Sequence, residues 1–268
     1  VIRHYNGKRT HRDKGDYIMA NMSTTAARQT ISGLAASGQL FLNWLADWLD
    51  TLPTLDLAAF MRENDLKPEN VAVISADLIV GFCYKGTLAS PRIAGVVEPS
   101  AQLFILAHSL GVRNFALLQE YHTHDAMEFE QFGPHGIRGT EEAETVDALA
   151  TLPFSNLFEV IHKNSLHPSL DTNMESWLAQ RPEVNTFIAV GDCTDLCIYQ
   201  LVMHLKLGAN AIDKRIHVLV PADCVQTYDL PVETSQQIGA MPHDGDLMHG
   251  IFLYHMALNG AQVVKRIV

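Results

Sequence analysis

From Asn70 to the C-terminus, short apolar runs alternate with longer stretches of helical spacing. The runs are "VAVISAD" (71–77), "NFALLQE" (114–120), "LFEVIHK" (157–163), "TFIAVGD" (186–192), "IHVLVPAD" (216–223) and "AQVVKRIV" (261–268). Each is nearly continuous in apolar residues, the pattern of a strand covered on both faces. Between them the spacing predicts helices around 99–111, 140–150, 172–180, 195–208 and 231–258. A repeated strand, helix, strand alternation implies a three-layer α/β/α sandwich around a mostly parallel, Rossmann-like sheet. The start of the chain reads differently: Leu40, Leu42, Trp44, Leu45, Trp48 and Leu49 recur at helical spacing before Pro53 ends the pattern. Residues 1–69 are therefore read as a basic tail and a helical N-terminal extension, and residues 70–268 as the main domain.

Composition narrows the function classes. The 268 residues carry a net charge of -11, which argues against a nucleic-acid partner, because phosphate binding needs clustered Lys and Arg. No apolar run approaches the length of a membrane span, so no membrane partner is expected. The basic start, "VIRHYNGKRTHRDKGD", has no apolar core of the secretory kind after it. The four cysteines, Cys83, Cys193, Cys197 and Cys224, are too scattered for a disulfide framework, and a cytoplasmic, reducing setting is expected.

Ligands of open parallel sheets bind beyond the carboxyl ends of the strands, so polar residues that terminate the apolar runs are the ones to inspect. Here they are Asp77, Glu120 with His122 two further, Lys163, and the stretch "GDCTDLC" from Gly191 to Cys197. Any one alone is more often a solvated strand end than a reacting group. If Thr194 caps the following helix, Cys197 lies in its first turn, where free N–H groups favour an anion. A thiol beside Lys163 and Asp77 then has a cation to lower its pKa and a carboxylate to take its proton. The bland reading is a small buried cysteine next to a structural ion pair. A second cluster, Glu120, His122, His124, Glu128 and His135, offers a ligand set for zinc, iron or manganese. His-rich loops without metal are also common, and spacing alone leaves the two readings open.

Several of these segments, in order, resemble the isochorismatase-like cysteine hydrolases, and among them the nicotinamidase-like branch. "DLIVGFC" looks like the motif of the family's catalytic Asp, at Asp77; "EYHTHDAMEFEQFGPHGIRGTEEAE" is similar to its metal and substrate segment; "HKNSL" matches the segment of its lysine, Lys163; "GDCTDLC" matches its nucleophile motif, with Cys197 as nucleophile. The resemblance implies a cysteine amidohydrolase that cleaves nicotinamide or a similar small amide through a thioester. It implies an oxyanion held by the backbone N–H groups of Cys193 and Cys197, the former presented by a cis Asp192–Cys193 peptide. It places Phe82 and Phe132 about the substrate ring, and Glu120, His122, Glu128 and His135 about a divalent metal, zinc or else iron or manganese, with a metal-free enzyme still open. It also implies a homo-oligomer. Three positions depart from the family pattern: Glu120 stands where Asp is usual, Gly133 replaces a Pro, and Gly136 stands where Cys is frequent. Two rivals remain: a metal-free amidase acting on a carbamoyl or maleamate-type amide, and a noncatalytic binding relative. True isochorismatases lack the nucleophilic cysteine, so Cys197 argues against that activity.

Overall fold

The computed structural model describes Gly33 and residues 36–268; the basic tail expected at the start of the chain lies outside the described residues. The chain divides into two compact units, Val1–Trp48 and Leu49–Val268. Within the first, residues 36–48 belong to helix α1 (36–50), along which the rings of Phe41, Trp44 and Trp48 stack in succession with centroids 5.7 and 6.2 Å apart.

The second unit is built on nine strands: β1 (Thr54–Leu55), β2 (Val71–Ala76), β3 (Asn114–Glu120), β4 (Phe158–Lys163), β5 (Thr186–Asp192), β6 (His217–Pro221), β7 (Val225–Gln226), β8 (Gln262–Val264) and β9 (Arg266–Ile267). All six expected runs contain strands, the last of them divided at Lys265 into β8 of the main sheet and β9, which pairs with β1. The main sheet has the order β4-β3-β2-β5-β6-β8, with β7 pairing the end of β5, and every pairing in it is parallel. β1 and β9 pair with each other in a small second sheet.

Helices cover the sheet. Helix α2 (Leu57–Glu63) is followed by α3 (Val80–Cys83), α4 (Pro91–Ala94), α5 (Val97–Ser109), α6 (Phe129–Phe132), α7 (Asp147–Ala150), α8 (Met174–Ala179), α9 (Cys197–Ala211), α10 (Val232–Ile238) and α11 (Gly245–Leu258). On one face Phe104 of α5 stacks with Phe115 of β3 and meets Phe158 of β4 edge-on, in a core that also holds Val71, Val73, Ile188 and Leu219. α9 packs on β5 and β6, and α11 on β8 and α9. Leu57, Phe60 and Met61 of α2 belong to the same core. The main sheet starts at Val71, whereas the compact unit that contains it begins at Leu49.

Two helical expectations are corrected. The stretch 231–258 is two helices, because Gly239 adopts φ +73° at the end of α10 and Pro242 cannot continue the ladder. The stretch 140–150 yields only a 3-10 turn, Glu141–Ala143, and the single turn of α7.

Candidate active site

β3 and β4 lie on one side of β2, whereas β5, β6 and β8 lie on the other, so the order reverses between β2 and β5. Strand ends diverge at such a point and leave a crevice. Asp77 follows β2, and its φ of +58° turns the chain away from the sheet while its N–H still bonds the Leu118 carbonyl at 2.8 Å. Glu120 and Lys163 are register partners at the ends of β3 and β4, so their side chains leave the same face. Beyond β5 the chain runs through the cis Asp192–Cys193 peptide to Cys197, the first residue of α9. Gly191 is required here: a Cβ at its φ of +113° would stand 2.0 Å from the Ala76 carbonyl oxygen.

These strand ends bring Asp77, Lys163, Cys197 and Glu120 together, all nearly inaccessible. Lys163 Nζ lies 2.9 Å from Asp77 Oδ2 and 3.0 Å from Glu120 Oε1, and donates to Cys197 Sγ at 3.4 Å. Cys197 Sγ donates to Glu120 Oε1 at 3.8 Å. The Glu120 N–H bonds Asp77 Oδ1 at 2.8 Å, which fixes the carboxylate against the strand. Burial pulls the Lys163 ammonium down, but Asp77, Cys197 and Glu120 together raise its pKa well above the usual lysine value. Burial raises Asp77; Lys163 opposes this, and Glu120 adds to it. Burial would also raise Glu120, but Lys163, His122 and His135 hold it well below the usual carboxylate range. The expected low-pKa thiolate is not found. Burial pushes the Cys197 thiol well up, Lys163 pulls it down, and the carboxylates of Asp77 and Glu120 push it up again. Nor does Thr194 cap α9, which starts three residues later with Leu196 at its cap position; the Thr194 hydroxyl is engaged by His249 Nδ1 at 2.8 Å.

The second oxygen of Glu120 faces the histidines, at 3.2 Å from His122 Nε2 and 2.8 Å from His135 Nε2. His122 Nδ1 donates to Asn164 Oδ1 at 3.0 Å and His135 Nδ1 to the Gly133 carbonyl at 2.7 Å, so each ring turns Nε2 towards Glu120. Beyond these Glu120–histidine contacts, Glu120 Oε2, His122 Nε2 and Glu128 Oε1 are buried and have no further hydrogen-bond partner among the described residues. Ligand atoms of Glu120, His122, Glu128 and His135 all lie within 4.8 Å of one another. Orphaned buried atoms converging on one point, with both tautomers fixed from behind, form a cluster that fits a divalent cation.

Phe82 and Phe132 line a cavity of about 760 Å³ that also reaches Asp77, Glu120, Glu128, His135, Cys193 and Cys197. Its remaining wall is largely apolar, with Leu88, Ile93, Leu166, Leu196 and Leu230. The Phe82 and Phe132 rings lie 5.6 and 6.3 Å from that of His135, so aromatic wall and ligand cluster adjoin. Among the described residues, neither the Cys193 nor the Cys197 N–H is bonded to a backbone carbonyl.

The isochorismatase domain family matches residues 71–244. The chain belongs to this family. Nicotinamidase 1 of Arabidopsis thaliana is 31% identical to this isochorismatase-family hydrolase over 225 residues, 75% of this chain and 88% of that protein. Two solved structures show the same fold. A cysteine hydrolase of Pseudomonas syringae superposes with a TM-score of 0.59 at 20% identity, covering 74% of this chain and 89% of that one. The nicotinamidase of Bacillus subtilis does so with 0.53 at 21% identity, covering 73% and 99%. No described helix is long and apolar enough to cross a membrane.

Sequence reasoning missed three neighbours of the isochorismatase-family site. Asn164 follows Lys163 directly, and its role behind His122 was readable only once β3 and β4 were in register. Asp192, buried beside Asp77 and Glu120, is pushed well above the usual carboxylate range by that burial and those charges. Asp195 pairs with His243 at 2.7 Å, a contact spanning 48 residues that no local signal announces.

Proposed function

We propose that this protein hydrolyses a small neutral amide, nicotinamide or a close heteroaromatic relative, to the acid and ammonia, with Cys197 as nucleophile. The observation that carries the reading is the buried contact set of Asp77, Lys163 and Cys197 at the floor of an aromatic-walled cavity. The likeness to Nicotinamidase 1 supports the substrate class.

Because burial and the carboxylates of Asp77 and Glu120 push the Cys197 thiol up against the pull of Lys163, attack calls for a base. Two carboxylates are within reach, and their surroundings separate them: Asp77 is shifted up and Glu120 is held down. The more basic Asp77 takes the thiol proton as sulfur bonds to the amide carbonyl carbon. Lys163 holds Asp77 and sulfur in register and offsets the negative charge that moves between them. The carbonyl oxygen, now an oxyanion, is held by the N–H groups of Cys193 and Cys197. Asp77 then gives its proton to the departing nitrogen; the C–N bond breaks, ammonia leaves, and an acyl thioester remains on Cys197. A water deprotonated by Asp77 attacks the thioester, and sulfur leaves with the proton returned to it.

Glu120, His122, Glu128 and His135 would hold a divalent cation, zinc being the best match to a nitrogen and carboxylate set, which when bound supplies a Lewis-acid anchor for a lone pair on the substrate ring. Phe82 and Phe132 flank the ring and supply stacking without reading much of its identity.

Charge separates the leading reading from a maleamate-type substrate. Apart from His243 and the cation that Glu120, His122, Glu128 and His135 would hold, the charged side chains that line the cavity among the described residues are Asp77, Glu120, Glu128, Asp192, Asp195 and Asp229, with no Lys or Arg, so the fixed charge there disfavours an anionic amide. Ammonia release from nicotinamide, an N-carbamoyl amine and maleamate tests the assignment. Nicotinamide is expected to lead in kcat/KM by at least about tenfold over maleamate; turnover of maleamate or the carbamoyl compound with none of nicotinamide would overturn it.

A further inference from the structure

The turn between β5 and α9 carries both proposed oxyanion donors and the nucleophile. Its two central residues, Thr194 and Asp195, are each gripped from one distant segment. Asp195 Oδ2 meets His243 Nε2 at 2.7 Å, and the Thr194 hydroxyl meets His249 Nδ1 at 2.8 Å. Thr194 is fully buried and Asp195 is 6% exposed. His243 faces an oxygen with each ring nitrogen, Asp195 on one side and the Tyr228 carbonyl, 2.9 Å away, on the other. Both nitrogens must then carry hydrogen, so the grip on Asp195 is charged on both sides.

The gripping segment is itself anchored. Leu230 and His243 exchange two backbone hydrogen bonds of 2.7 and 2.8 Å, the Tyr228 and His243 rings stack at 4.0 Å, and the Gly245 N–H bonds Asp229 Oδ1 at 2.8 Å. The turn is also held from its other side, where the Thr194 N–H bonds the Gln226 carbonyl at 3.0 Å. Within the turn, the Cys193 carbonyl accepts from the N–H groups of Leu196 and Ile198, so a shift at Thr194 or Asp195 is passed directly to the Cys193 peptide.

We propose that His243 and His249 are positioning residues that clamp Thr194 and Asp195 and thereby aim the Cys193 N–H at the developing oxyanion. The proposal rests on the reading of Cys197 as the nucleophile, and not on the identity of the amide. Oxyanion alignment matters for acyl transfer, which passes through a tetrahedral oxyanion, and not for alkylation of the same sulfur, which does not. A misplacement of about 1 Å in such a group costs on the order of 10²-fold in rate.

The test compares two reactions of Cys197, each followed by mass spectrometry of its peptide: acylation by p-nitrophenyl acetate and alkylation by iodoacetamide. The proteins are the unaltered chain, His243→Leu, His249→Gln and Thr194→Val. The last removes only the hydroxyl and keeps the shape, so it carries the test if His243→Leu does not fold. Acylation is expected to slow by about 10- to 100-fold in His243→Leu and Thr194→Val while alkylation changes by less than about threefold. His249→Gln, which keeps a hydrogen-bonding group, is expected to retain most of the acylation rate. Parallel changes in both reactions, or no change in either, would overturn the clamp. Failure of the parent reading appears differently, as an unaltered protein in which Cys197 is not acylated at all, and would overturn both.

Discussion

In the proposed mechanism the two cysteines of "GDCTDLC" have separable roles, because one would act through its backbone and the other through its side chain. Cys193→Ala keeps the N–H and is expected to leave kcat within about threefold of the unaltered enzyme, whereas Cys197→Ala is expected to lower it by at least about 10³-fold. Ammonia release measured on both variants checks this. Lys163 is the cation shared by Asp77 and Glu120 in a site almost closed to water. Lys163→Met would leave those two carboxylates facing each other and is expected to cost about 3–5 kcal/mol of stability, read from urea unfolding. Glu120 has one methylene more than the aspartate expected there from the resemblance, and the structure shows where that length goes: one oxygen reaches Lys163 and Cys197, the other His122 and His135. Asn164 orients His122 from behind. Asn164→Ala is therefore expected to weaken zinc binding by about 10- to 100-fold, measured by competition with a chromogenic chelator on the metal-stripped protein.

At the scale of elements, the pairing of Asp195 with His243 joins the start of α9 to the chain ahead of α11, and it should give stability a definite pH window. Burial would raise Asp195, but hydrogen bonds from His243 and Thr227 lower it below its usual value. Burial would lower His243, but Asp195, the Tyr228 carbonyl and Asp229 raise it. The Asp195 contribution is complete above the unfolded aspartate pKa of about 4 and is lost as pH falls through the lower folded value. That of His243 is complete below the unfolded histidine pKa of about 6.5 and is lost as pH rises through the higher folded value. The stability lost in Asp195→Asn should thus be greatest between about pH 4 and 6.5 and shrink on either side, as followed by urea midpoints across pH.

β2, β3, β5 and β6 were legible because each is apolar and buried on both faces, a signal that needs no partner to be read, whereas the edge strand β4 exposes Val160 and His162 and was legible from its apolar run alone. The residues ending them were legible for the same reason, since a parallel sheet puts them on one rim. What was not legible depended on distant partners. Thr194 looked like a helix cap because nothing local shows that His249, 55 residues on, holds its hydroxyl. Apolar spacing through 231–258 outweighed Gly239 and Pro242, although those two residues divide α10 from α11. The lowered thiol pKa expected at a helix start beside lysine failed because burial and two carboxylates outweigh one cation, a balance that only packing reveals.

For the whole molecule, the sheet order sets the chemistry. Reversal between β2 and β5 opens the crevice, and four adjacent strand ends deliver Asp77, the proposed base, together with the bridging Glu120, Lys163 and the cysteine turn to it. The central claim is that an acyl group passes through Cys197, and acid quenching during turnover of nicotinamide followed by mass spectrometry tests it most directly. The account predicts a nicotinoyl thioester on the Cys197 peptide, absent in Cys197→Ala together with ammonia release. Ammonia release that persists in Cys197→Ala, or an acyl group found on another residue, would contradict it.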